Sequence, residues 1–178
     1  MDVVPASSDL VGLPGEPDQV PETRDQVPKA KDAALRLLAV RARSRQELER
    51  RLERRGFAER DIAAALDRLS EAGLVDDAAF AAAYAESRAG RGADSRVIAA
   101  ELRERGVAPK LAERAAEAAV PVDERAERCL EVAAARLARM EGLAPEVRFR
   151  RLAAYLDRRG YPPDLIVSVL AELVPRRD

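Results

Sequence analysis

Read along its glycines, the chain repeats itself three times, and that repeat constrains its fold more than any other feature. Aligning Gly56, Gly106 and Gly160, spaced 50 and 54 residues apart, brings like residues into register. Four positions before each glycine stands a leucine (Leu52, Leu102, Leu156), and eight before stand Leu48, Ile98 and Leu152. Arg55, Arg105 and Arg159 directly precede the glycines, and Phe57, Val107 and Tyr161 directly follow them. Ten positions beyond lie Leu66, Ala116 and Leu170. Agreement at so many fixed offsets is the mark of tandem units that stack on their neighbours.

Each unit reads as three helices. The first helix is predicted over 32–42, with Ala34, Leu35, Leu38 and Ala42 on one face. Ser44 and Glu47 form a capping-box pattern opening a second helix that turns Leu48 and Leu52 inward and ends at Gly56. A third helix over 59–72 carries Ile62, Leu66 and Leu69 at helical spacing and stops at Gly73. Asp76 is placed to cap a fourth helix with Phe80 and Tyr84 one turn apart, and a fifth over 95–105 buries Ile98 and Leu102. Pro109, Pro145 and Pro163 each suit the first position of a helix (the sixth, eighth and ninth), and Asp123 is expected to cap the seventh, which runs toward Gly142. The eighth is expected to bury Phe149, Leu152 and Leu156, and the ninth Ile166 or Leu165 with Leu170 and Leu173.

The expected fold is therefore all-α: three tandem three-helix repeats in an elongated, curved array, divided as 31–73, 74–120 and 121–178. The composition agrees, being rich in alanine, leucine, glutamate and arginine with only 3% aromatic residues, and it excludes an all-β fold. Small alanines let the helices approach closely. Residues 1–30 read instead as a disordered tail, for Pro5, Pro14, Pro17, Pro21 and Pro28 alternate there with six acids and little apolar surface. The acidic start does not suit a signal peptide, and no apolar run approaches the ~18 residues of a membrane-spanning helix, so the chain is expected to be soluble and cytoplasmic.

Several chemistries are excluded by residue type. The chain has no histidine and one cysteine, Cys129, so Ser-His-Asp and Cys-His arrangements, His/Cys zinc sites and internal disulfides are unavailable. Asp76 and Asp77 read as a helix start, Gly90-Arg91-Gly92 lacks any phosphate-loop context, and Cys129 faces inward as a small core residue. No catalytic residue, metal site or cofactor site is expected, and the chain is not read as an enzyme.

Charge is the remaining signal. Net charge is −1 overall, but 41–60 carries +4, 61–135 carries −5 and 136–178 carries +3. Two basic ends thus flank an acidic middle, a pattern suited to a partner that is itself charged and patterned. Arg50 and Arg54 should project outward from the second helix, and Arg150, Arg151 and Arg158 from the eighth, where Asp157 is the one acid at hand for Arg148, Arg150, Arg151, Arg158 and Arg159. The competing explanation is a solvated face of pairs such as Glu47–Arg51 and Arg50–Glu53. Arginine matches carboxylate and phosphate in a bidentate fork, so either an acidic protein surface or a nucleic-acid backbone would fit.

Gly73-Leu74-Val75-Asp76-Asp77, then Phe80, Tyr84 and Arg88, then Ile98-x-x-x-Leu102-x-x-x-Gly106-Val107, resembles the central block of the bacterial RecX regulatory family. The run Ala34-Leu35, Leu38, Arg41, Ser44, Glu47-Leu48, Leu52 and Gly56-Phe57 fits that family's opening repeat, and Leu152, Leu156 and Gly160 its third, so the resemblance spans about residues 31–174. It implies three tandem three-helix repeats. It also implies binding to the RecA recombinase and its single-stranded-DNA filament, limiting filament extension, ATP hydrolysis and strand exchange, and so modulating recombination and the SOS response. Adding Arg88 and Arg91, the candidate partner-binding set is Arg50, Arg54, Arg88, Arg91, Arg150, Arg151 and Arg158. The chain departs from many relatives at Asp94, where they carry glycine, and its acidic middle suits protein contact better than strong direct DNA binding. A monomer is expected. The alternatives are a helix-turn-helix-like DNA-binding regulator and a helical scaffold for an unrelated partner. The third and sixth helices carry at least as many acids as bases and no Asn or Gln to read adenine, which argues against the former.

Overall fold

The computed structural model describes residues 26–174, which form nine helices and no strand. The first unit holds α1 (Val27–Val40), α2 (Arg45–Glu53) and α3 (Glu59–Glu71). The second holds α4 (Asp77–Ala89), α5 (Ser95–Glu104) and α6 (Pro109–Ala119), and the third α7 (Arg125–Leu137), α8 (Pro145–Asp157) and α9 (Pro163–Leu173).

Each unit has its own core. Leu48, Leu52, Ile62, Leu66 and Leu69 gather with Ala33, Ala34 and Leu37 in the first. Phe80, Ile98, Leu102 and Val107 gather with a floor of alanines in the second. Leu152, Leu156, Tyr161, Ile166 and Leu170 gather with Cys129 and Ala133 in the third. Leu48, Leu52, Leu66, Ile98, Leu102, Leu152 and Leu156 are fully enclosed. Burying each such side chain contributes roughly 1.5–3 kcal/mol. The glycine register read from the sequence is thus the register of the three cores.

The turns after α2, α5 and α8 are built alike. Gly56, Gly106 and Gly160 have φ of 84°, 86° and 88°, and the amide of the next residue reaches back to the carbonyl of Leu52, Leu102 or Leu156 at 3.3, 3.0 and 3.3 Å. Those bonds close each helix end, and the left-handed backbone at the glycine makes the reversal possible.

Three local expectations need correction. α1 begins at Val27 rather than 32, with Pro28 in its first turn and Val27 and Ala30 buried, Val27, Ala30 and Ala65 forming a small cluster, so the tail boundary at residue 30 falls inside a helix. Proline there starts a helix instead of preventing one, because the first-turn amide it lacks has no intrahelical partner anyway. Residues 1–25 lie outside the described residues, as do 175–178. Secondly, α7 takes Glu124 as its N-cap with no side-chain cap from Asp123, and it closes at Leu137, ahead of Gly142. Thirdly, half of the capping box forms: Ser44 accepts from the Glu47 amide at 3.1 Å, but the Glu47 carboxylate is drawn instead to Arg41 and Arg105.

Candidate functional site

Apart from Val75, which packs into the core of the first unit, no core cluster among the described residues spans two units; the units meet at two polar junctions, and both follow one plan. The carbonyl of the arginine in each Arg-Gly turn accepts a hydrogen bond from the residue that caps the second helix of the preceding unit. At the first junction the Ser44 hydroxyl donates to the Arg105 carbonyl; at the second the Asp94 amide donates to the Arg159 carbonyl at 2.8 Å. The following glycine then lies flat on that helix start. A Cβ on Gly106 would stand 2.3 Å from Gln46 Cβ, and one on Gly160 would stand 2.8 Å from Val97 Cβ. Neither approach leaves room for a side chain.

Around this shared plan the chemistry differs. At the first junction Glu47 takes Arg105 at 2.8 Å and Arg41 at 3.1 Å, Arg50 reaches the Glu104 carbonyl at 3.4 Å, and the Asp77 carboxylate accepts the Arg45 amide at 2.8 Å. Asp77 therefore caps a helix in the neighbouring unit, while Asp76 caps its own through the amides of Ala78 and Ala79. The Arg105 guanidinium also lies 4.7 Å from the Tyr84 ring centre. Partial burial of Glu47 favours its neutral form, but Arg41 and Arg105 outweigh it and hold the carboxyl below its ordinary range.

The second junction is anchored inside. Asp94 is fully buried; its Oδ1 accepts the Arg96 amide at 3.0 Å and caps α5, and Arg125 Nε stands 2.8 Å from Oδ2 as an ion pair whose N–H is poorly aimed. Arg125 also donates to the Ser95 hydroxyl at 2.7 Å, and Arg128 to the Ala89 carbonyl at 3.1 Å. Arg159 stacks 4.2 Å from the Tyr155 ring centre. Asp94 thus supplies a helix cap and an anchor for the third unit together.

Of the seven arginines singled out, six are exposed: Arg50, Arg54, Arg91, Arg150, Arg151 and Arg158. The side chains of Arg54, Arg91, Arg150, Arg151 and Arg158 make no hydrogen bond or ion pair among the described residues. Neither Arg50–Glu53 nor Glu47–Arg51 forms; Arg50 bonds Gln46 at 2.7 Å, and Glu47 faces the junction. Asp157 neutralises none of the α8 arginines. Arg88 is different. Both its Nε and Nη2 hold the Glu101 carboxylate at 2.6 Å, and Tyr84 donates to the same carboxylate at 2.8 Å, tying α4 to α5. That bidentate bond keeps the Arg88 guanidinium more strongly protonated than usual and, against burial, lowers the Glu101 carboxyl. The two basic helices lie in the outer units, with no hydrogen bond or ion pair joining α2 to α8.

One feature escaped sequence reasoning. Leu35, Leu38, Leu74, Ala79, Phe80 and Ala83 line a mostly apolar groove of about 570 Å³ between α1 and α4, with Leu74 half exposed. Leu35 and Leu38 carry ordinary core-face spacing, so nothing in the pattern marks them as groove wall. Cys129 is wholly buried, and burial, with the nearby Asp94 charge, pushes its thiol up to about 11, which leaves it protonated and unreactive at neutral pH. No group of three or more His, Cys, Asp or Glu side chains among the described residues could hold a metal ion.

Three helical triplets, each with a private core and joined through polar Arg-Gly turns, define a tandem α-helical repeat protein. Models of the first, second and third three-helix domains of RecX match residues 30–69, 76–115 and 123–170. The chain belongs to the RecX family. It is 40% identical to the regulatory protein RecX of Thermobifida fusca over 162 residues, covering 90% of this chain and 87% of that one. It is also 40% identical to that of Mycolicibacterium smegmatis over 173 residues, covering 92% and 89%. A crystal structure of RecX from Lactobacillus salivarius shares the fold, with a TM-score of 0.69 at 23% identity over 84% of this chain and 97% of that one.

Proposed function

We propose that this regulatory protein binds the RecA recombinase and its single-stranded-DNA filament, and limits filament extension, ATP hydrolysis and strand exchange without catalysis of its own. The observation that carries this reading is the outward face of α8, where Arg150, Arg151 and Arg158 stand exposed with no side-chain partner among the described residues. Exposed guanidinium groups left unpaired suit acidic protein surface or phosphate. Arg50 and Arg54 on α2 and Arg91 in the turn after α4 extend the surface into the other units; Arg88 is held by Glu101 and serves the fold. An array of three units can touch more than one subunit of a filament, and such multivalent contact raises avidity without new contact types. Direct DNA contact through the same arginines would be weak and salt-sensitive. The protein acts as a monomer in the cytoplasm; among the described residues no helix is long and apolar enough to cross a membrane.

The test is single-stranded-DNA-dependent ATP hydrolysis by the cognate recombinase, titrated with the protein. Inhibition well below one-to-one stoichiometry is expected. No effect at excess folded protein would overturn the reading. Replacing Arg150, Arg151 and Arg158 together by alanine should weaken filament binding at least tenfold, with unfolding unchanged; unaltered binding would remove α8 from the interface.

A further inference from the structure

The Arg-Gly turn that closes the second helix of a unit occurs three times, and among the described residues only two of these copies have something to sit on (Arg91-Gly92, which follows α4, is a further Arg-Gly turn and packs on Val132). The Arg105 and Arg159 carbonyls accept hydrogen bonds from Ser44 and Asp94, and their glycines press on the starts of α2 and α5. The third copy, Arg55-Gly56, has the same backbone, with φ of 84° at Gly56, yet a Cβ there would meet nothing within 4 Å. The Arg55 side chain is exposed and carries no hydrogen bond or ion pair among the described residues. It borders a cleft of about 370 Å³ with Lys29, Asp32, Ala33, Arg36 and Phe57, where three cations face one acid.

We propose that the Arg55-Gly56 turn is a docking site for the start of a helix in a partner protein, one with a hydroxyl or carboxylate cap residue and an acid in its first turn. The two filled turns supply the template. Each takes a helix start through a hydrogen bond from the cap residue to the arginine carbonyl, and at the first junction the arginine side chain pairs with Glu47, third residue of that helix. The cations around Arg55 extend that preference for an acidic first turn.

In a second copy of this chain the equivalent helix start, that of α8, does not suit the turn. In the third unit α8 begins at Pro145, a turn earlier relative to its glycine than α5 does. Arg148 therefore stands at the position of Ser44 and Asp94, its amide already bonded to the Ala144 carbonyl at 3.0 Å. Arg151 stands at the position of Glu47 and Val97, so an incoming Arg55 would meet like charge. The extra turn of α8 therefore prevents a second copy from continuing the same stacking plan through its third unit. The inference rests on the Arg55-Gly56 turn and not on α8, although Arg54 beside the turn belongs to the surface proposed above for the recombinase.

The experiment uses the full, isotope-labelled chain and a conformationally stabilised helical peptide with the sequence of residues 43–54, the element that the Arg105-Gly106 turn already grips. Amide shifts centred on Arg54, Arg55, Gly56 and Phe57 are expected at sub-millimolar to millimolar peptide. Arg55→Glu in the protein, or Glu47→Lys in the peptide, should weaken binding at least tenfold. The Arg55 side chain is exposed and unbonded, so that variant tests the contact without threatening the fold. No shift in these residues at millimolar peptide would overturn the proposal. Equal shifts with inorganic phosphate or with the Glu47→Lys peptide would overturn it too, reducing the turn to a general anion site. Movement of the Gly56 resonance on neutralising the acids of residues 1–25, with no peptide present, would assign the turn to the chain's own N-terminal segment instead.

Discussion

The two junctions are made by the same turn on the same kind of helix start, and they use opposite electrostatic means. Between the first and second units the charges lie near the surface: Arg41 and Arg105 are 43% and 34% exposed and share a Glu47 that is 15% exposed. Between the second and third, Asp94 is fully enclosed, and Arg125 is 20% exposed. Exposed pairs are screened and contribute little, whereas a buried pair contributes most through the cost of losing one partner. The repeat therefore preserves a docking geometry while its strength is set separately at each joint. The first junction should bend or open more readily than the second.

The largest expected difference comes from deleting one acid at each joint. Asp94→Ala leaves the partly buried Arg125 guanidinium without its carboxylate and uncaps α5, which should cost about 2–4 kcal/mol. Glu47→Ala should cost on the order of 1 kcal/mol or less, because its partners are solvated. Urea unfolding of the two variants measures both, and equal losses would break the distinction.

Glycine replacements sharpen the comparison. Gly56→Ala pays the left-handed backbone penalty alone, about 1–2 kcal/mol, since open space surrounds it. Gly160→Ala should add about 1–3 kcal/mol for driving Cβ against Val97, whose backbone nitrogen stands 3.1 Å from it. Gly106→Ala should cost at least as much as Gly160→Ala, because Gln46 Cβ, 2.3 Å away, is fixed to its backbone and cannot swing aside. Thermal unfolding of the three variants should rank them Gly106, Gly160, Gly56 from most to least damaged.

Acid should loosen the first joint through Glu47. Its folded-state carboxyl titrates below the ordinary glutamate value of about 4.3, so the bound pair adds stability above that pH and loses it as pH falls through the lowered value. Glu47→Gln should flatten this part of the pH dependence, and carboxyl-carbon NMR of Glu47 would show the lowered midpoint directly. A midpoint at or above the ordinary value would contradict the pairing. The smallest effect belongs to Cys129: with its thiol pushed up to about 11 and no exposed surface, it should resist thiol reagents at neutral pH until the third unit opens. Its labelling rate then reports on that unit, and should rise sharply in Asp94→Ala.

Much of this was legible beforehand because its causes are local. A positive-φ glycine, a proline at a helix start, and leucines four and eight positions ahead of a turn act within two helical turns, so their spacing in the chain is their spacing in space. The expected exposure of Arg50, Arg54, Arg150, Arg151 and Arg158 followed from the same periodicity. Arg88 did not: its partner Glu101 sits on the next helix, 13 residues away, and no i,i+4 rule connects them. Asp94 and Arg125 are separated by 31 positions and Ser44 and Arg105 by 61, and such pairings depend on how the units stack.

The sequence by itself determined the all-helical character, the number of units and the large leucines and isoleucine ahead of each turn glycine that centre each core, because helix period and turn stereochemistry are short-range properties of the chain. Only the tertiary structure decided which polar groups meet across the joints, which arginines are consumed there, and that Arg55-Gly56 remains open. Those outcomes depend on the packing of whole units, where a hydrogen bond or a few tenths of an ångström at a glycine determines what can approach.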